Sequence, residues 1–175
     1  MRFVGIDVGA ETKGFHVAVA DEDRVVQLFR TQYPEEIVAR LGLPEVIAID
    51  APSRALIKGT ETRQAERELH RAGYRIQWTR RQPPAPPWMV NGERLWAALR
   101  AAFSEATIIE TFPTAAWSHL SASSLQVPMA IWSEVDRATR ADSLDAIVAA
   151  DVARRWSLGQ ATQYGPEDEL APIWV

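Results

Sequence analysis

Phe3-Val4-Gly5-Ile6-Asp7-Val8, near the start of a chain of 175 residues, is the stretch that decides the fold. Val4, Ile6 and Val8 alternate along it and would share one face of an extended strand. Asp7 is unusual within this apolar run, because aspartate is depleted in strand interiors. The stretch therefore predicts a buried first strand that carries a carboxylate.

Two further strands follow the first across short turns. Residues 9–14 have the composition of a turn, and the apolar stretch at 15–20 returns as a second strand. Asp21-Glu22-Asp23 is another turn signal and leads to a third strand over residues 25–29. Together these segments predict an antiparallel meander of three strands.

Beyond the meander, predicted helices alternate with predicted strands. Val46-Ile47-Ala48-Ile49-Asp50 is an apolar run that ends on a carboxylate, which is typical of a buried parallel strand. The other predicted elements are helices that begin at residue 34, cover 61–71, run from 91 through 99 and cover 136–156, and strands at 74–78 and 106–110. This order predicts an α/β fold, with a mixed sheet of antiparallel meander and parallel strands flanked by helices.

The length favours a single domain over residues 1–175. A proline-rich stretch is inserted around residues 78–92, and it predicts a rigid surface loop because consecutive prolines fit neither a helix interior nor a central strand. The tail over residues 159–175 carries only weak structural signals.

Composition excludes several kinds of site and location. The chain has no cysteine, which excludes disulfides and thiolate metal sites and is compatible with the reducing cytoplasm. No apolar run is long enough to predict a membrane span, and the early Asp7 is unlike a signal peptide. His16, His70 and His119 lack ligand spacing and are expected to be surface or hydrogen-bonded residues. A metal site would therefore be rich in oxygen and favour Mg²⁺ or Mn²⁺ over zinc.

Two predicted strands carry aspartates that point to a functional site. Asp7 lies inside the first strand, and Asp50 ends the run at 46–50. If these strands are parallel neighbours, both carboxylates lie at the carboxyl edge of the sheet, where α/β folds place their sites. Asp50 considered alone is better explained as a turn residue or helix cap before Ala51 and Pro52.

The last predicted helix carries the strongest single observation. Helical periodicity places Asp145 within the apolar stripe of this helix, and Asp142 neighbours it at the edge of the stripe. Two adjacent carboxylates that face a core are costly unless a cation compensates them. An arginine partner or a more exposed helix face would also explain Asp145, and Asp142 would favour the helix dipole. Convergence with Asp7 and Asp50 favours metal coordination.

Glu110 ends the strand that precedes Thr111-Phe112-Pro113. Two interpretations stand side by side: it is a fifth acidic ligand of the metal site, or it caps the following segment.

Four segments in this order resemble a known family. They are Val4-Gly5-Ile6-Asp7, Ile47-Ala48-Ile49-Asp50-Ala51-Pro52, Glu110-Thr111-Phe112-Pro113 and Asp142-Ser143-Leu144-Asp145-Ala146. Their order resembles the predicted-nuclease family known as domain of unknown function 429, over residues 3–156. The resemblance implies a ribonuclease-H-like fold.

The arrangement also looks like the Holliday-junction resolvases of the same superfamily. Those enzymes carry an aspartate on the first strand, an acid on the fourth and a pair of acids three residues apart on the closing helix. The resemblance places these roles on Asp7, Asp50, Asp142 and Asp145. The acid on the fourth strand is often glutamate in that group, and Asp50 has a shorter reach.

The leading functional prediction is a metal-dependent nuclease that hydrolyses phosphodiester bonds of nucleic acid by a two-metal mechanism. Asp7, Asp50 and Asp145 would hold Mg²⁺ or Mn²⁺, with Asp142 assisting. Basic side chains would contact phosphates, although a solvated helix face is the more common role of such residues. They are Arg63, Arg67, Arg71, Arg80 and Arg81.

Two alternatives belong to other functional classes. One is a nucleic-acid-binding module that kept the fold and lost the chemistry. The other is an ATP-binding relative of the sugar kinases and actin, which share the opening hairpin but normally use two such lobes. The formal net charge of −4 weighs against nucleic-acid binding over the whole surface.

Overall fold

A computed structural model describes residues 1–58, 62–120, 125–166 and 172–175 of the chain. The three strands of the meander are β1 (Phe3–Val8), β2 (Phe15–Ala20) and β3 (Val25–Thr31). Helix α1 (Pro34–Leu41) and strand β4 (Val46–Asp50) follow them. β1 pairs antiparallel with β2 on one side and parallel with β4 on the other, as the sequence predicts.

The second half of the described chain is mainly helical. Its elements are α2 (Gln64–Arg71), α3 (Pro87–Ala102), β5 (Thr107–Thr111), α4 (Pro113–Leu120), α5 (Met129–Ser133), α6 (Arg140–Ser157), β6 (Gln163–Tyr164) and β7 (Ile173–Trp174). A short 3-10 turn at Arg137–Thr139 precedes α6. Within the described residues, no helix is both long and apolar enough to cross a membrane.

The described strands form one seven-stranded mixed sheet in the order β3-β2-β1-β4-β5-β7-β6. Helices flank this sheet, so the predicted α/β class with a mixed sheet is confirmed, and the layout is consistent with a ribonuclease-H-like fold. The core has two main parts. Val4, Ile6 and Val8 pack with residues of α1 and α3, whereas Phe3 packs with residues of α2, α4 and α6.

Gly5 allows α6 to lie directly on the sheet. A Cβ atom at this position would stand 2.1 Å from both the carbonyl oxygen of Ala146 and the backbone nitrogen of Ala150. Real Cβ atoms do not approach backbone so closely, so a side chain here would push the helix away from β1. The position of α6 relative to β1 therefore depends on a residue without a side chain.

The prediction of a strand at residues 74–78 is wrong. These residues form no ladder, and only an isolated bridge between Leu56 and Arg80 follows them. Tyr74 and Ile76 pack against the core while Arg75 and Gln77 are exposed. A segment that covers a core without joining the sheet produces the same alternation as a strand.

The start of the third helix and the structure of the tail also differ from the expectation. Helix α3 begins at Pro87 rather than at Asn91, because proline is well tolerated in the first turn of a helix. Asn91 is consequently buried inside α3, where its side-chain amide donates to the carbonyl of Gly9 at 2.9 Å. The tail contributes β6 and β7, and β7 pairs in parallel with β5. Glu61, the predicted start of the second helix, lies outside the described residues.

Candidate metal centre

Three neighbouring strands bring carboxylates to one edge of the sheet. The parallel register of β1 and β4 places Asp7 opposite Asp50. In the next pair, Ile49 stands opposite Glu110 of β5. Asp7 and Glu110 are buried and Asp50 is half-buried. The expected neighbourhood of Asp7 and Asp50 at the carboxyl ends of parallel strands is thus present in the fold.

Helix α6 supplies two more carboxylates to the same place. It packs closely against β1, and its first two turns carry Asp142 and Asp145, both half-buried. Asp145 accepts a hydrogen bond from the side chain of Trp117. Asp7, Asp50, Asp142 and Asp145 therefore come from two strands and a helix that are far apart in sequence.

Burial, together with the mutual proximity of these acids, raises the pKa values of two of them. Burial raises the pKa of Asp50 well above its ordinary value, and the negative charges of Asp7 and Asp145 raise it further. Burial likewise raises the pKa of Asp145 from 3.8 to about 6, again assisted by the charge of Asp7 and then of Asp142. Carboxylates that repel one another in a partly desolvated place are ready to accept a compensating cation.

Lys13 places an ammonium group beside two of these acids. Its Nζ lies 2.7 Å from Oδ1 of Asp142 and 3.6 Å from Oδ2 of Asp7. Burial acts to lower the pKa of Lys13, but the hydrogen bond to Asp142 and the charge of Asp7 outweigh it and raise this pKa. The lysine lies in the turn between β1 and β2, and its side chain is 42% exposed. Lys13 is thus a cation of the chain itself that is attached to the acidic cluster.

His16 lies on the other side of Asp7, and its surroundings differ from the expectation. The antiparallel register of β1 and β2 places Asp7 opposite His16, which is only 2% exposed. Its Nδ1 stands 3.5 Å from Oδ2 of Asp7. Among the described residues, neither ring nitrogen of His16 nor Oδ2 of Asp7 has a hydrogen-bond partner. The prediction of a surface or hydrogen-bonded histidine is therefore wrong for His16.

The geometry of the β1–β2 hairpin, rather than a sequence motif, places Lys13 and His16 beside Asp7. The turn between Gly9 and Gly14 is closed by a 2.8 Å hydrogen bond from the nitrogen of Gly9 to the carbonyl of Gly14. This closure pairs Val8 with Phe15 and hence Asp7 with His16. Counting cross-strand partners from the predicted turn would have found the histidine. His70 is exposed, and the side chain of His119 lies outside the described part of the structure.

Glu110 has an arginine partner that neither interpretation of the sequence included. Both terminal nitrogens of Arg63 donate to its two carboxylate oxygens at 2.8 Å. Glu66 accepts hydrogen bonds from the backbone and side chain of Thr79 and lies 3.7 Å from Arg63. Arg63 is 5% exposed, so it does not occupy the surface position expected of a phosphate contact. It serves as the buried counter-charge of Glu110.

The other basic residues have mixed environments. Arg67 is half-buried and donates to the backbone carbonyl of Thr62. Arg71, Arg80 and Arg81 are exposed, which is where the sequence places them. Of the predicted set, Arg71, Arg80 and Arg81 are therefore the exposed residues, whereas Arg63 is buried and Arg67 is half-buried.

A cavity of about 450 Å³ opens beside the acids. The residues that line it include Lys13, Asp50, Glu110, Arg75 and Trp88. The cavity is therefore bounded by charged groups, by a cationic side chain at the surface and by an aromatic ring. Its dimensions suit a small organic group such as a nucleotide.

No protein-family model, curated protein or solved structure matches this chain. What the site can do therefore follows from its own geometry.

Proposed function

We propose that this protein is a divalent-metal-dependent phosphodiesterase that cleaves nucleic acid. The observation that carries the proposal is the convergence of Asp7, Asp50, Asp142 and Asp145 at one edge of the sheet, next to an open cavity. The resemblance to the domain of unknown function 429 and to Holliday-junction resolvases suggests the same activity. The absence of cysteine fits a cytoplasmic protein.

The residues present fit a hard divalent cation. Oδ2 of Asp7 is buried without a hydrogen-bond partner among the described residues, and an ammonium group already lies beside it. Oxygen-rich ligand sets are those that Mg²⁺ and Mn²⁺ prefer. Asp7, Asp50 and Asp145 would hold the metal and Asp142 would assist, whereas Glu110 is engaged by Arg63. Bound metal would supply Lewis-acid activation of water and stabilise the leaving oxygen.

The chain's own groups would divide the remaining work. Arg71, Arg80 and Arg81, all exposed, would contact the phosphate backbone and hold the substrate in register. Trp88 and Arg75 line the same cavity as Asp50 and would contact the nucleotide adjacent to the scissile phosphate. Asp145, whose pKa is raised to about 6 in the absence of metal, would be held ionised by the bound cation.

The test is a cleavage assay with the full chain on single-stranded, duplex, hybrid and junction substrates, each with Mg²⁺ and with Mn²⁺. We expect metal-dependent cleavage of at least one substrate, and we expect Asp7→Asn and Asp145→Asn to abolish it. Glu22→Gln, in an exposed turn, is the matched control and should leave cleavage unchanged. Cleavage that survives both aspartate substitutions would place the activity elsewhere. Binding of substrate without any cleavage would favour a non-catalytic binding module.

A further inference from the structure

His16 is the most unusual polar residue near the acidic cluster. It is 2% exposed, is the second residue of β2 and has no hydrogen-bond partner for either ring nitrogen among the described residues. Burying a polar ring without partners is costly, and a native structure rarely retains such a residue without a compensating contact. The ring therefore needs a ligand or an ordered solvent molecule that it can bind.

The surroundings of His16 indicate which ligand this is. Donor atoms of Asp7, His16 and Asp142 all lie within 4.8 Å of one another. Nδ1 of His16 and Oδ2 of Asp7 are 3.5 Å apart, and both are buried and unpartnered among the described residues. Neighbouring ligands of one transition-metal ion, with bonds of roughly 2.1 Å, are separated by about 3.0–3.4 Å. The two atoms are thus close to the separation that a shared metal ion requires.

We propose that Asp7, His16 and Asp142 form a metal site with one nitrogen and two oxygen donors, which binds a transition-metal dication such as Mn²⁺ in preference to Mg²⁺. The inference rests on the metal binding of the proposed function and adds a ligand that gives the site its selectivity. Imidazole nitrogen is a good ligand for transition metals, whereas Mg²⁺ strongly prefers oxygen. Asp7 would thus belong both to this site and to the carboxylate set that Asp50 of β4 and Asp145 of α6 complete.

Lys13 is part of the same proposal. Its ammonium lies 2.7 Å from Asp142 and 3.6 Å from Asp7, so it compensates the same two carboxylates that the ion would bind. A divalent ion and the ammonium cannot both occupy the space between these oxygens. Because the lysine side chain is 42% exposed, it can turn into solvent when the ion binds. Lys13 is therefore a competing cation whose displacement accompanies metal binding.

A second cavity lies beside His16. This cavity measures about 260 Å³ and is lined by His16, Arg30, Asp136 and Ser143 among others. A metal-bound histidine usually donates its second ring N–H to a carboxylate, a carbonyl or water. The cavity has ample room for that water molecule.

The direct test is pulsed EPR of the full chain loaded with Mn²⁺, unlabelled and then labelled with ¹⁵N-histidine. We expect a hyperfine coupling from an imidazole nitrogen that changes with the isotope. His16→Gln should remove it, and His70→Gln, at an exposed position on α2, should retain it. Mn²⁺ bound without histidine nitrogen coupling would overturn the proposal, and so would a coupling that persists in His16→Gln.

Metal affinities give a second readout. His16→Gln should weaken Mn²⁺ binding by about tenfold or more and change Mg²⁺ binding far less. Lys13→Met should strengthen Mn²⁺ binding severalfold, and weaker binding would overturn the competition. Should His16→Gln fail to fold by circular dichroism, the isotope experiment on the wild-type chain still tests whether a histidine nitrogen binds the ion, and a missing coupling would overturn the proposal.

These readouts separate the present inference from the proposed function. Cleavage with Mn²⁺ bound by oxygen alone would leave the nuclease proposal intact and overturn the histidine site. Histidine coordination in a chain that cleaves no nucleic acid would do the reverse.

Discussion

Helix α6 carries fully or partly buried carboxylates in both halves, and their electrostatic surroundings are opposite. Asp151 is fully buried, yet Arg154 and Arg155 from the next turn contact its two oxygens at 2.8 and 3.2 Å. Asp145 is only half-buried, yet it faces Asp7 and Asp142 and its pKa is raised to about 6. Burial alone therefore does not mark a functional carboxylate. A carboxylate surrounded by other acids is the one that requires an external cation.

The largest expected effect on stability comes from removing the counter-charges of Asp151. Arg154→Met combined with Arg155→Met keeps the aliphatic packing but leaves a buried carboxylate without compensation. We expect the free energy of unfolding to fall by about 3–5 kcal/mol, measured by urea denaturation. Adding Asp151→Asn to the same background should recover most of the loss. A decrease below about 1 kcal/mol without recovery would mean that these arginines act as ordinary surface charges.

Asp145→Asn should have the opposite effect in the absence of metal. The folded-state pKa of about 6 exceeds the ordinary value of 3.8, so the native state binds more protons than the unfolded chain between these values. The stability of the wild type should fall as pH rises through this window. At pH 7 the substitution should therefore raise the free energy of unfolding, by about 1–2 kcal/mol after screening by water. Below pH 3.8 the difference should vanish.

The same pair of proteins tests metal binding. Mn²⁺ at a hundredfold excess over its dissociation constant should stabilise the wild type by about 2.7 kcal/mol, and Asp145→Asn by much less. Melting curves in chelator and in Mn²⁺, with Glu22→Gln as the control, provide the measurement. Destabilisation by Asp145→Asn in chelator, together with an unchanged metal response, would make Asp145 a structural residue like Asp151.

The smallest expected effect concerns the exposed arginines. Removing one arginine that binds a phosphate should reduce the slope of log affinity against log salt by roughly 0.7–0.9. Arg71→Gln and Arg81→Gln together should flatten this slope in fluorescence-anisotropy titrations of a labelled oligonucleotide. Arg40→Gln, on the exposed side of α1, should not change it. Equal slopes in all variants would assign Arg71 and Arg81 to a solvated surface.

Much of the site could be predicted because its acids lie in strong local patterns. Asp7 and Asp50 interrupt or end apolar strands, and Asp145 interrupts the apolar stripe of a long helix. These signals depend only on periodicity within one element. The α/β class follows from the same patterns, since apolar strands and amphipathic helices alternate along the chain.

The rest depends on partners that no local pattern specifies. Arg63 has the sequence context of a surface helix, and only the tertiary fold brings it to Glu110. The two-residue strands β6 and β7 are too short to show alternation, and they form because the edge of β5 offers unpaired backbone groups. The position of His16 beside Asp7 follows from the pairing of β1 with β2, which the sequence of either strand alone does not specify.

Gly5 makes the position of the carboxylates on α6 sensitive to a substitution outside the acidic cluster. It carries no chemistry and lies two residues from Asp7, yet a single added carbon there would collide with the backbone of α6 at 2.1 Å. The helix could escape only by moving outward, and Asp142 and Asp145 would move with it. The reach of a carboxylate is fixed, so a shift of about an ångström would be enough to undo the proposed metal coordination, with its bonds of roughly 2.0–2.6 Å. The spacing of the proposed metal centre therefore depends on the absence of a side chain at position 5.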